Sequence, residues 1–260
     1  MNQPDSSPGN LPSLYHTDYY MPVYKAGEYG DWRVSIMGLG HDYGYTGGVQ
    51  IIQNVPILMR RDKDNKDKWL TWMSLTPHEI ESQELGAIYG YGHVVIMGLG
   101  LGWVAANAAL NPKVTKVTVV ELDTLVIDMI NTSGSLNGLP DDIKNKITIV
   151  HEDALKWKSD IKVDFLYVDI WRTLNEESVM SDVSIMQNNL HADVIYYWGQ
   201  ELTIYNEIIK ADADNQITYD SIEEVVNSAF KLPLLIPKEF DYPEMIRKVI
   251  ENRKKRGMKI

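Results

Sequence analysis

The hydrophobic pattern changes texture along the chain. Between residues 13 and 75 the apolar positions come in short runs. Trp32-Arg33-Val34-Ser35-Ile36 alternates with a period of two, and Val49-Gln50-Ile51-Ile52 and Val55-Pro56-Ile57-Leu58-Met59 follow it. After an exposed charged turn over 60–68, Trp69-Leu70-Thr71-Trp72-Met73 resumes the pattern. Gly38, Gly40, Gly44, Gly47 and Gly48 lie between the runs. Short runs punctuated by glycine predict a small antiparallel β unit over 13–75.

From Thr76 the texture alternates between helix and strand. Thr76-Pro77-His78-Glu79 is a helix start, with a cap residue, a proline in the first position and an acid in the first turn. That helix should run to about Tyr89. Apolar runs at 93–97, 116–120, 147–150, 164–168 and 193–197 read as strands. Helical segments at 103–110, 125–133 and 176–189 lie between them, and a loop falls at 137–140. This alternation predicts a Rossmann-like α/β domain over 76–200, a parallel sheet with helices on both faces. Residues 201–260 read as a helical C-terminal region, with helices near 201–211, 219–230 and 241–255 and breaks at Pro233 and Pro237. Residues 1–12 carry three prolines and little to bury, which predicts a disordered arm.

Composition narrows the classes. The 260 residues are 44% apolar and 23% charged, ordinary for a globular chain, and no apolar run approaches the ~18 residues of a membrane span. The polar N-terminus does not read as a secretory signal, so a cytoplasmic location is expected. There are no cysteines, which removes disulfides and thiolate chemistry, and the six histidines show no metal-ligand spacing, so no metal is expected. A net charge of −11 disfavours wrapping nucleic acid. The dense basic run, Arg253-Lys254-Lys255-Arg256, reads as a solvated helix end.

Candidate chemistry lies at the ends of the predicted parallel strands, where ligands of such sheets sit. Gly98-Leu99-Gly100-Leu101-Gly102 joins the first of these strands to its helix, the context of a nucleotide-binding turn. A dinucleotide fingerprint needs a third glycine at position 103, which is Trp103 here. The spacing of Gly98, Gly100 and Gly102 therefore suits a ligand without a pyrophosphate. Glu121 ends the next strand, where an acid can accept from two ribose hydroxyls. Asp153, after the following strand, can accept an exocyclic amine while the Ala154 N–H reaches a ring nitrogen; helix capping is its alternative role. Asp169 ends the strand after that, where a carboxylate can take a proton or hold an amine. Trp171 beside it can wall a pocket. Tyr43 and Tyr45, in the glycine-rich loop 41–48, can cover a substrate.

Taken together, these residues resemble the class I S-adenosylmethionine-dependent methyltransferase superfamily, and more narrowly its spermidine synthase-like branch. The resemblance covers about residues 72–198 and is carried by 94–102, VTVVELDTLV at 117–126, ITIVHEDALKW at 147–157 and 165–169. His78-Glu79 resembles the family's histidine–glutamate pair that borders the cofactor, which makes His78 a candidate cofactor contact. The resemblance implies S-adenosyl-L-methionine as cofactor, a small-molecule substrate and a homodimer.

Two departures separate the chain from aminopropyltransferases. Their glycine loop carries an acid where Leu101 stands here, and their catalytic strand continues into a second acid where Ile170-Trp171-Arg172 stands here. Both favour methyl transfer from the intact cofactor, with Asp169 as base or substrate clamp. Aminopropyl transfer from decarboxylated S-adenosylmethionine and a non-catalytic cofactor-binding role are the alternatives.

Overall fold

The computed structural model describes residues 12–174, 176–212 and 216–260. The expected arm over 1–12 falls, but for Pro12, outside the described residues.

Two sheets dominate. The antiparallel one contains β1 (Gly27–Tyr29), β2 (Trp32–Met37), β5 (Val55–Arg61) and β6 (Trp69–Ser74), in the order β1-β2-β5-β6. Along β2 the period of two is realised as burial, with Trp32 and Val34 inside. Beside this sheet β3 (Gly40–Tyr43) and β4 (Val49–Ile52) pair as a separate hairpin. The stretch expected to be a glycine-rich loop from His41 is thus strand as far as Tyr43, because His41 and Asp42 pair with Ile51 and Gln50. Neither β1 nor β3 has a run of apolar residues that announces a strand.

The parallel sheet is built from β7 (Gly92–Met97), β8 (Val114–Glu121), β9 (Ile147–His151), β10 (Phe165–Val168) and β11 (Val194–Tyr197), in the order β11-β10-β7-β8-β9. Helices α1 (Pro77–Ile88), α2 (Trp103–Leu110), α3 (Thr124–Ser133) and α5 (Val179–Leu190) flank it. A sheet covered on both faces needs continuous apolar strands, and β7 and β10 are buried almost throughout. The short α4 (Asp141–Lys144) follows Pro140, at the end of the stretch read as loop. The chain runs outward from β7 through β8 to β9, then returns to the other side of β7 for β10 and β11. This reversal puts a crevice between the carboxyl ends of β7 and β10, the place where such sheets bind ligands.

The C-terminal region is helical: α6 (Gln200–Ala211), α7 (Tyr219–Val225) running on as a π-helical turn over Val226–Phe230, and α8 (Tyr242–Lys255). One isolated parallel bridge extends the sheet past β11: Ile195 N–H donates to Pro233 O at 2.9 Å and Leu235 N–H donates to Ile195 O at 2.7 Å. The buried carboxylate of Glu201 ties four parts of the fold together. It accepts from the hydroxyls of Tyr45 (2.9 Å), Tyr196 (3.1 Å) and Tyr242 (3.0 Å).

Candidate functional site

The glycine loop after β7 is held from both sides. Gly98 N–H donates to Val120 O of β8 at 2.9 Å, and Asp169 N–H donates to Met97 O of β7 at 2.9 Å. The Asp169 backbone therefore lies against the loop. Gly98 has φ +98°, and a Cβ there would stand 2.1 Å from the Asp169 carbonyl oxygen. Gly100 has φ +50°, and its Cβ would stand 2.5 Å from Met73 Sδ. Both positions require the absence of a side chain. Both also line a cavity of about 560 Å³, well inside the range of about 300–1,000 Å³ that takes small ligands. Gly102 serves differently: it is the left-handed cap of α2 and does not line this cavity.

The strand-end acids converge on the same space. Glu121 Oε2 accepts from Leu99 N–H at 2.9 Å and Oε1 from Asp123 N–H at 2.8 Å. Each oxygen keeps a second lone pair for a ligand hydroxyl. Burial pushes its pKa up while these backbone donors pull it back. Asp153 and Ala154 line the cavity as well. Asp153 caps its turn by accepting from Leu155 N–H at 3.0 Å and pairs with Lys156 at 2.9 Å. Lys156 and that cap hold its carboxyl below the usual range, so it is an anion at neutral pH.

At the crevice between β7 and β10 two carboxyl groups meet. Asp169 lines the cavity, and burial pushes its pKa up to about 7, opposed by a hydrogen bond from the Tyr167 hydroxyl. Glu79, from the first turn of α1, lines the same cavity. Its burial, together with the nearby Asp169, drives its carboxyl well above the ordinary range, and Gln83 Nε2 donates to it at 2.9 Å. Glu79 is thereby biased toward its neutral form, and Asp169, with its pKa near neutrality, is poised to gain or lose a proton.

Other expected positions are redistributed. Trp171 lines the cavity, with its indole N–H fixed to Asp182 at 2.9 Å. His78 does not line it. The helical phase of α1 turns Glu79 into the cavity and His78 onto the wall of a neighbouring one. Tyr45 is fully buried on Glu201 and lines neither cavity, so a substrate-covering role does not fit its place. Tyr43 is exposed beneath the Arg256 guanidinium, 4.7 Å away, and lines neither cavity. Leu101, the position compared with an acid, is buried against the antiparallel sheet: its N–H donates to Met73 Sδ at 3.3 Å and its carbonyl accepts from the Tyr24 hydroxyl.

The antiparallel unit supplies a wall of the cavity that no motif announces: Trp32, Leu58, Arg60, Trp72 and Met73. The Arg60 guanidinium lies 5.2 Å from the Trp32 ring and 5.6 Å from that of Trp72. Among the described residues it is the one arginine or lysine lining this cavity, and it is in no ion pair. Trp32 Nε1–H also donates to Asp123 at 2.8 Å, fastening this wall to the end of β8. The pattern WRVSIM discloses the strand, but only the fold brings it over the loop.

No protein-family model matches the chain, and no curated protein matches it. Among solved structures it is similar to the glycopeptide N-methyltransferase MtfA complexed with S-adenosyl-L-methionine, at 21% identity and a TM-score of 0.34, covering 42% of this chain and 48% of that one. It is also similar to DhpI in an SAH complex, at 14% identity and a TM-score of 0.32, covering 43% and 52%. A third is a dimethyladenosine transferase from Plasmodium falciparum, at 21% identity and a TM-score of 0.27, covering 35% and 30%. The chain matches less than two thirds of the length of each. Likenesses this partial carry no weight for the chemistry of the site, which stands on its own residues.

Proposed function

We propose that this chain is an S-adenosylmethionine-dependent methyltransferase of the class I superfamily acting on a small molecule, with the cofactor in the 560 Å³ cavity. The observation that carries the reading is the convergence of Gly98, Gly100, Glu121, Asp153, Ala154 and Asp169 on one cavity at the ends of successive parallel strands. The residues fit the group. The two glycines leave a cradle that a Cβ would fill, Glu121 offers two free lone pairs to a ribose, and Asp153 with Ala154 offers the acceptor and donor an adenine edge needs. The antiparallel unit before the parallel sheet supports the spermidine synthase-like branch, and with it the division into 13–75, 76–200 and 201–260.

The bound cofactor would supply an electrophilic methyl group by its own chemistry. What remains for the chain is to orient the acceptor, exclude water and manage a proton. Asp169, with its pKa near neutrality, suits the removal of a proton from an acceptor at its Oδ atoms. Glu79, biased toward its neutral form, limits the negative charge beside Asp169 and in that form can donate a hydrogen bond to the acceptor. Trp171 and Trp198 close the apolar wall beside them.

Aminopropyl transfer is the second reading, favoured by the two neighbouring carboxyl groups of Glu79 and Asp169, which in their charged forms suit an amine. Arg60 weighs against it, because a free cation in the wall suits the carboxylate that the decarboxylated cofactor lacks. Titration calorimetry with S-adenosylmethionine, S-adenosylhomocysteine and decarboxylated S-adenosylmethionine tests both. Tighter binding of the carboxylate-bearing ligands is expected. Preference for the decarboxylated form would replace the first reading with the second, and no binding of any of the three would remove both.

A further inference from the structure

Behind Glu79 and Trp198 lies a second cavity of about 790 Å³, bordered by those same two residues and therefore adjoining the first. Its wall holds a buried cation without a counter-ion. Arg253, in the last turn of α8, is 5% exposed. It belongs to the run expected to be a solvated helix end, yet it faces inward while Lys254 and Lys255 face solvent. Its Nε and Nη2 donate to the Lys259 carbonyl at 3.0 and 2.5 Å. Its Nη1 donates to no described residue, and no described carboxylate pairs with the side chain. A guanidinium stays charged in a protein, and a buried charge without an opposite one is costly.

A second arginine faces the same space. Arg172 donates through its Nε to Thr71 O at 3.3 Å and forms no close ion pair among the described residues, though its charge reaches Asp62. Lys259 adds a third cation. Of the acids on the wall, burial biases Glu79 toward its neutral form, and Glu176 and Glu177 are exposed and form no ion pair with either arginine. The positive field reaches His78 on the same wall, where burial and the charges of Arg256 and Arg253 push the imidazole pKa down to about 4.

We propose that this second cavity is the acceptor's seat and that it holds an anionic group of the acceptor, a carboxylate or a phosphate, against Arg253 and Arg172. An acceptor anchored there can extend its nucleophile past Glu79 and Trp198 to Asp169. The inference rests on the methyl-transfer reading for what the anion is attached to, and on the two arginines for the anion itself. In a chain of net charge −11, two arginines without a close ion pair on one wall give an anion a seat that most of the surface does not offer.

Inorganic phosphate and acetate, titrated at constant ionic strength set with chloride, are the probes. The readout is the His78 imidazole resonance, assigned with His78→Gln. An anion beside the arginines should raise the His78 pKa by at least one unit, and Arg172→Gln and Arg253→Met should each weaken the effect tenfold or more. Arg172 is exposed, so Arg172→Gln decides the matter if Arg253→Met fails to fold. No shift with either probe, or an unchanged response in Arg172→Gln, overturns the proposal. Stronger binding of phosphate assigns a phosphorylated acceptor, and of acetate a carboxylic one. S-adenosylhomocysteine titrated into the same samples keeps the two readings apart. Phosphate binding without it removes methyl transfer and leaves the anion seat, whereas its binding without either anion removes the seat alone.

Discussion

The Tyr167 hydroxyl donates to Asp169 Oδ2 at 3.3 Å, so the strand that ends in the acid also supplies its hydrogen-bond donor. A donor to a carboxylate favours the charged form and opposes the upward push of burial. Carbon-13 NMR of the Asp169 carboxyl, assigned with Asp169→Asn, should show titration near pH 7. Tyr167→Phe should move it higher. Because the folded-state pKa is raised above the unfolded one, the folded chain binds the extra proton. The stabilisation is complete below about pH 4 and is lost as pH rises to about 7. Asp169→Asn should flatten that slope in urea titrations. A Tyr167→Phe protein whose Asp169 titrates lower contradicts this assignment.

Gly98→Ala should be more damaging than its small change suggests. The added methyl meets a backbone oxygen at 2.1 Å, and the φ of +98° is unfavourable to any side chain. A loss of about 2 kcal/mol or more in stability is expected, together with loss of S-adenosylhomocysteine binding by calorimetry. Gly100→Ala meets the flexible end of Met73 instead and should cost less.

Glu121→Gln keeps the shape of the side chain but replaces one acceptor by a donor. One of the two backbone N–H groups of Leu99 and Asp123 then loses its partner. Affinity for S-adenosylhomocysteine should fall ten- to a hundredfold, about 1.4–2.8 kcal/mol. Affinity unchanged in calorimetry would show that Glu121 is a loop brace and not a ligand contact.

Glu201→Ala leaves the phenols of Tyr45, Tyr196 and Tyr242 without their common acceptor in the core. A cost of about 3 kcal/mol or more is expected from chemical denaturation. Glu201→Gln, which keeps one carbonyl oxygen, should cost less. Equal melting temperatures for the two variants would argue against the carboxylate as the joint of the four elements.

The parallel sheet was legible because its strands are mostly apolar runs with a clear stop: Glu121, Asp153 and Asp169 stand at three of the five ends and Gly98 at a fourth. The strands β1 and β3 were not, since GEY and GHDY owe their pairing to neighbours and not to their own hydrophobicity. Within the site, residues that act through their own strand end could be named from sequence. Those that act from a distance could not: Arg60 reaches the cavity only because β5 folds over it, and Arg253 because the last turn of α8 turns it inward while Lys254 and Lys255 stay in solvent. The exchange of His78 for Glu79 has a simpler cause. Adjacent positions on a helix point about 100° apart, and a motif read as a pair does not say which member faces the ligand.

The bridge from Ile195 to Leu234 bears on a different property, the behaviour of the molecule in crowded solution. A parallel sheet that stops at β11 would offer a row of bare backbone donors and acceptors, a template on which another chain could polymerise. By placing 233–235 along that rim, with a proline that has no N–H to offer, the C-terminal region gives the sheet a blunt border instead of a sticky one. Replacing residues 233–235 by a glycine-serine stretch of equal length, which leaves α8 in the chain, should therefore show itself first as aggregation.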